Sequence, residues 1–185
     1  MKNLQLFELD SIDNIITPED FKLTTLESPA INIFTDFKEH KALIIEGETK
    51  AVDAINLMAK AHVQMKIVVN NTNDFAGVIT TKELSEQNIV AEVAKGVGRS
   101  EILVRDMMLP RENLYAFDIN EIKNAKVQDV LVSLKNYKLS HCLVVDRQNH
   151  HIRGVISSSD VARKLHLPMT IDTKSSFNEV LDLIK

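Results

Sequence analysis

Gly77-Val78-Ile79-Thr80-Thr81-Lys82-Glu83-Leu84 returns 77 residues later as Gly154-Val155-Ile156-Ser157-Ser158-Ser159-Asp160-Val161. Upstream, Ile67-Val68-Val69-Asn70 falls on Leu143-Val144-Val145-Asp146, now 76 residues apart, so the second copy carries one extra residue in the intervening turn. Further upstream, Asp53, Ile55 and Met58 fall on Asp129, Leu131 and Leu134 at the same spacing of 76. Three segments in one order and register mark an internal duplication.

Each copy reads alike. Val52, Ile55, Ala59 and His62 in the first, with Met58 beside them, and Val127, Val130, Leu131, Leu134 and Lys138 in the second, recur at helical spacing. The apolar runs Lys66 to Val69 and Cys142 to Val145 are too short for a helix and Val-rich, so they read as buried strands. Polar turns then lead into runs around Val78-Ile79 and Val155-Ile156, which predicts hairpins. The Thr and Ser residues that follow are good helix N-caps. With Ala42-Leu43-Ile44-Ile45 and Leu114-Tyr115-Ala116-Phe117 as first strands, the unit is strand–helix–strand–strand–helix, an α/β (α+β) fold. Units of this size expose too much surface alone, so a single pseudo-twofold module is expected. The division is 1–27 flanking segment, 28–98 first repeat, 99–168 second repeat and 169–185 terminal helix, the last on the periodicity of Phe177, Val180, Leu181 and Ile184.

Composition narrows the function. The chain has 185 residues, 44% hydrophobic and 26% charged, which suits a globular protein. A net charge of −4 and the absence of Trp argue against nucleic acid as a partner. No apolar run approaches the roughly 20 residues that span a bilayer, and no secretory signal is visible, so direct membrane insertion is not expected. Cys142 is the only cysteine, which excludes an internal disulfide and fits a cytoplasmic setting. His150-His151 point to opposite faces if on a strand, and no metal site is expected. No G-x-S-x-G, Walker or H-E-x-x-H motif occurs, so an enzyme is not expected. Gly96-Val97-Gly98-Arg99 lacks the Lys-Ser/Thr of a phosphate loop and reads as a helix-ending turn.

The Gly-hydrophobic-hydrophobic-Ser/Thr-x-x-Asp segment, the Val-Val-Asp strand end and the Met107-Met108-Leu109-Pro110 lead-in resemble a tandem pair of CBS domains, a Bateman module, over roughly residues 28 to 168. Val104 to Arg111 is also similar to the lead-in of CorC-type and haemolysin-C-like CBS pairs. The resemblance implies binding of an adenosine-containing regulatory ligand (AMP, ADP, ATP or S-adenosylmethionine), no required cofactor, a homodimer, and control of an unidentified protein partner. A dimerisation or interaction scaffold that binds no ligand is the alternative.

A carboxylate can accept both hydroxyls of a ribose. Ser157 and Asp160, three apart, share one face at a helix start, and Ser158 lies between them. The same pair would also serve as cap and dipole complement; the resemblance favours the ribose. Carried over from the family, the base slot takes Met108, Leu109 and Pro110 from the lead-in, with His141 and Cys142 opening the strand. Candidate cations for phosphates are Arg111, Arg153, Arg163, Lys164 and His141. In the first repeat Thr80 and Thr81 stand in place, but Glu83 replaces the family's Asp, and this site is the weaker one.

Overall fold

The computed structural model describes residues 24–135, 137, 139–167 and 176–184. In chain order it has β1 (Thr35–Asp36), β2 (Ile44–Glu46), α1 (Ala51–Lys60), β3 (Met65–Val69), β4 (Phe75–Thr80), α2 (Glu86–Ala94), α3 (Val104–Met107) and β5 (Leu109–Pro110). The second half holds β6 (Ala116–Asp118), α4 (Ile119–Asn124), α5 (Val127–Leu134), β7 (His141–Asp146), β8 (His151–Ser157), α6 (Ser158–Lys164) and α7 (Phe177–Ile184). The α/β reading and the duplication hold. Most of the flanking segment 1–27, and Lys138, Pro168 to Ser175 and Lys185, lie outside the described residues.

Two four-stranded sheets run β2-β3-β4-β5 and β1-β8-β7-β6. In each, a short first strand pairs parallel to the hairpin's leading strand, Ile44 to Ile67 and Ala116 to Leu143. The hairpins are antiparallel and shift register at equivalent places, Val68/Val69 and Val144/Val145. The fourth strand is exchanged. β5, ahead of the second repeat, pairs with Gly77-Val78 of the first, and β1 pairs with Gly154-Val155 of the second. Single bridges Pro29 to Lys126 and Lys50 to Leu103 repeat the exchange beside the helices. The pseudo-twofold relation therefore extends to the lead-ins, and neither sheet is complete without chain from the other half.

Alternation along the strands divides the core. Val68 and Ile79 face α1 and α2 together with Ala54, Met58 and Ile89. Ile67 and Val78 face the other sheet, where they meet Leu143 and Val155. Val144 and Ile156 pack under α5 and α6 with Leu131, Leu134, Phe177 and Val180. Burying a side chain of this size contributes roughly 1.5–3 kcal/mol.

Three expectations shift. The first strands begin two residues later than Ala42 and Leu114, because Ile44 and Ala116 are the first to find a parallel partner. The buried face of α1 is Ala51, Ala54 and Met58; Val52 and Ile55 are half-buried, and Ala59 and His62 are exposed. Helix phase there is set by Met58, not by the branched residues. Finally, no helix starts at Thr80-Thr81. A turn runs to Ser85 and α2 begins at Glu86. The Thr80 hydroxyl donates to the Glu83 carboxylate and accepts from Lys82 N–H, bonds that close a local turn rather than open a helix. Gly96 turns the chain just past α2 with a left-handed φ of 96°.

Candidate functional site

Register builds the principal site. β7 and β8 place His141 opposite Ser157 at the end of the second sheet. The chain then turns into α6, where the Ser157 hydroxyl accepts from Asp160 N–H at 3.4 Å and lies 2.7 Å from the Ser159 hydroxyl. Asp160 is thereby held in the first turn of α6. β1 brings Thr35 beside Val155. Phe37 follows it, and Leu43, Met65 and Ile67 close the wall from the first repeat. The result is a cleft of about 550 Å³ between the repeats, with Ser157, Asp160, Arg163, His141, Lys41 and Gln64 among its polar lining. That is the range of a small-ligand pocket, with apolar walls and a few convergent polar groups.

The cleft is charged at one end. Arg163 pairs with Asp160 at 2.6 Å, and the arginine side chain is 75% exposed. Such a pair holds by less than about 1 kcal/mol and can open for a ligand. His141 is neutral: burial pushes its imidazole down to about 4, while its Nδ1 lies 3.0 Å from the Ser140 hydroxyl.

The expected residues separate into groups. Ser157, Asp160 and His141 converge on this cleft. Ser158 does not reach it; it is buried, and its N–H donates to the Ser140 carbonyl. Cys142 points into the core under the sheet, where burial pushes its thiol up to about 12. Leu109 lies in a second cleft with Thr80, Glu83, Tyr115 and Ser140, the pseudo-twofold mate of the first. The lead-in therefore serves the Glu83 cleft and not the Asp160 cleft, because its strand is hydrogen-bonded to Gly77-Val78. Pro110 is in that strand pair, Met108 faces the Asn70–Thr72 turn, and Arg111 lies at the far end of the sheets near Asp118 and Arg147. Thr81 is half-buried and donates its N–H to the Gln64 carbonyl. Arg153 is engaged by Asp36, and the Lys164 ammonium by the Asn32 carbonyl at 2.5 Å, so of the candidate arginines and lysines only Arg163 lines the Asp160 cleft. The residues missed include Thr35 and Phe37, from the exchanged lead-in, and Lys41, Leu43, Gln64 and Met65, from the first repeat. Pairing across the duplication is the signal that would have found the first two.

No group of three His, Cys, Asp or Glu placed to hold a metal ion occurs among the described residues. No described helix is long and apolar enough to cross a membrane.

Residues 35–87 and 104–167 each match the CBS domain family. The chain belongs to the CBS-domain family. The two repeats form a CBS pair, and the two clefts are its inter-repeat clefts. No curated protein sequence is significantly similar to the chain. Solved structures share the fold. A conserved uncharacterised protein of Pyrococcus horikoshii is 20% identical, with a TM-score of 0.58 over 80% of this chain and 98% of that one. A conserved CBS-domain protein of unknown function from Thermoplasma acidophilum is 17% identical, with a TM-score of 0.54 over 82% of this chain and 76% of that one. CBSX2, a CBS-pair protein of Arabidopsis thaliana, is solved in complex with AMP. It is 18% identical, with a TM-score of 0.52 over 74% of this chain and 94% of that one. In this CBS pair the two clefts differ in chemistry. One presents a carboxylate paired with a solvated arginine; the other presents Glu83, which already accepts the Thr80 hydroxyl.

Proposed function

We propose that this CBS pair is a regulatory module that binds an adenosine-containing ligand, AMP, ADP, ATP or S-adenosylmethionine, in the Asp160 cleft and signals to a protein partner. One observation carries the reading: Asp160 and Ser157 stand at the polar end of a cleft whose walls come from both repeats. A ribose offers two adjacent hydroxyls, and the Asp160 carboxylate can accept both once Arg163 swings aside. The base would lie against Phe37, Leu43 and Met65. Such an occupant bridges the halves, so it binds unequally to different relative arrangements of the repeats and shifts their populations. CBSX2 bound to AMP supports the ligand class by analogy of fold. On this reading the protein is non-catalytic, in line with its lack of catalytic motifs, cytoplasmic, in line with its single cysteine, and a homodimer, as the family resemblance implies.

The test is thermal unfolding with AMP, ADP, ATP, S-adenosylmethionine and NADH, on the wild type and Asp160→Ala. A ligand at 100 times its Kd adds about 2.7 kcal/mol, which raises Tm by roughly 5–10 °C for a chain of this size. A shift with one adenosine ligand, lost in Asp160→Ala, is the expected result. No shift with any of them leaves the ligand-free scaffold.

A further inference from the structure

A cavity of about 1060 Å³ opens at the end of the sheets remote from Asp160, where both hairpin turns meet the edge strand β6. It shares no lining residue with the Asp160 cleft and meets the small Glu83 cleft only at Leu114 and Leu143. Phe75, Leu114, Leu143 and Ile152 give it an apolar floor, and Arg111 and Arg147 stand at its exposed rim.

The duplication shows why the space is there. Strand register makes Arg111 the counterpart of Phe37, because Leu109 and Thr35 take the same place beside Val78 and Val155. It makes Ala116 the counterpart of Ile44, since these two lie opposite Leu143 and Ile67. Phe37 packs on the apolar layer between the sheets. In the second half a guanidinium and a methyl stand in place of the aromatic ring and the branched chain. The wedge beside β6 is therefore open and has cations at its mouth. Neither Arg111 nor Arg147 enters an ion pair among the described residues. The three carboxylates of the lining are committed to their own turns. Asp74 accepts the Thr72 hydroxyl at 2.6 Å, and Asp118 caps α4 by accepting Asn120 N–H at 2.8 Å. Asp146 accepts from the Asn149 N–H and side-chain amide at 3.0 and 2.9 Å.

We propose that this wedge is a further ligand site, for an organic monoanion that carries a carboxylate on an apolar body. The floor takes the body, and the forks of Arg111 and Arg147 donate to the carboxylate oxygens. With three carboxylates nearby, recognition rests on these direct hydrogen bonds and not on a positive field. The same carboxylates repel a dianion more than a monoanion, which disfavours a phosphate ester. The site is independent of the nucleotide reading. Its occupant touches Phe75 of the first repeat and Ile152 of the second, so it is placed to bias their relative arrangement.

The probes are octanoate, its neutral amide and octyl phosphate, followed by titration calorimetry on the full chain. The proteins are the wild type, Ala116→Ile, Arg111→Gln, Arg147→Gln and Asp160→Ala. Ala116 is exposed and its variant copies Ile44, so the wedge fills while the fold is kept, which thermal unfolding checks. The wild type is expected to bind octanoate about tenfold more tightly than the amide or the phosphate ester, the scale of a charge-assisted hydrogen bond. Arg111→Gln and Arg147→Gln should each weaken octanoate and leave the amide unchanged. Ala116→Ile should abolish binding of both, and Asp160→Ala should change neither. Octanoate binding that survives Ala116→Ile, or that is lost in Asp160→Ala, places the ligand elsewhere and overturns the site. Equal affinity for octanoate and its amide, tighter binding of octyl phosphate, or no effect of either arginine variant overturns the monoanion. No binding of any probe to the wild type overturns the proposal as a whole.

Discussion

The carbonyl oxygen of Leu109 lies where a Cβ on Gly77 would stand, and the carbonyl of Thr35 holds the same place over Gly154. This pairing explains the glycine that opens each repeated motif. An exchanged strand crosses directly over it, and no side chain fits beneath. Gly77→Ala and Gly154→Ala should each push the exchanged strand away, at a cost of about 1–3 kcal/mol, the usual range for overpacking. Gly47 is the control, because its added Cβ would meet nothing closer than 3.4 Å. Urea denaturation checks this: equal losses at Gly47 and Gly154 would sink the explanation. Because β1 also forms a wall of the Asp160 cleft, Gly154→Ala should weaken ligand binding as well.

Asp36 and Arg153 fasten the same exchanged strand. Arg153 Nε donates to Asp36 Oδ1 at 2.8 Å and a second guanidinium nitrogen reaches Oδ2, with both side chains mostly buried. Burial alone would raise the Asp36 carboxyl, but the Arg153 hydrogen bond and charge, with the Lys38 N–H, hold it below its usual value. Its folded pKa is depressed, so the stabilisation is full above the unfolded carboxylate range near 3.9 and is lost as pH falls through the folded value. Arg153→Met should cost about 1–3 kcal/mol at pH 7, less than a fully buried pair because some solvent reaches it. The gap between variant and wild type should narrow on going from pH 5 to pH 3. A gap that stays constant would mean that the pair contributes through packing alone.

Much of the fold was legible because duplication is a strong signal. Two copies of Gly-Val-Ile-Thr/Ser, each preceded by a Val-rich run, fix two hairpins and their helices without any knowledge of tertiary contacts. The exchange of lead-ins was not legible. Leu109-Pro110 and Thr35-Asp36 are two-residue strands with no periodicity to read, and their pairing depends on contacts across the molecule. That gap joined Leu109 to Asp160, which line different clefts. The role of Glu83 was half legible. Its replacement of Asp was visible, whereas its bond to Thr80 and the lost first turn of the helix needed coordinates.

Glu83 supplies a gain-of-function test. The longer side chain reaches back to Thr80 and occupies the acceptor that a ribose would use. Glu83→Asp withdraws the carboxylate by one methylene, which should break its bond to Thr80 and open the second cleft. Calorimetry is expected to read one ligand per chain in the wild type and two in Glu83→Asp. A stoichiometry of two already in the wild type would show that the Thr80 bond is no barrier.

His141 predicts a pH dependence of its own. Burial lowers its pKa to about 4 from the usual 6.5. The unfolded chain therefore binds more protons between these values, and stability rises with pH across that window, by up to roughly 3 kcal/mol. His141→Gln keeps a polar side chain but does not titrate. Wild type and variant should run in parallel above pH 7, and the wild type alone should lose stability from pH 6.5 towards 4.5. Parallel curves throughout would mean that the imidazole is solvated enough to charge freely.

The last prediction concerns the asymmetry between the halves. α7 buries Phe177 and Val180 completely against the second repeat's helices, while on the first repeat Leu57 and Val90 remain 51% and 54% exposed. Phe177→Ala should cost about 3–5 kcal/mol, the price of a large aromatic removed from a closed core. The loss should not stay local. Each sheet contains a strand from the other half, so a damaged second repeat releases β5 and β1 together. Tyr115 and Tyr137, in edge contact at 5.0 Å, report on the second repeat, and far-ultraviolet circular dichroism reports on the whole chain. In urea both signals should move to a lower midpoint as one coincident transition. Separate transitions would show that the repeats unfold independently, and that the exchanged strands contribute little to holding them together.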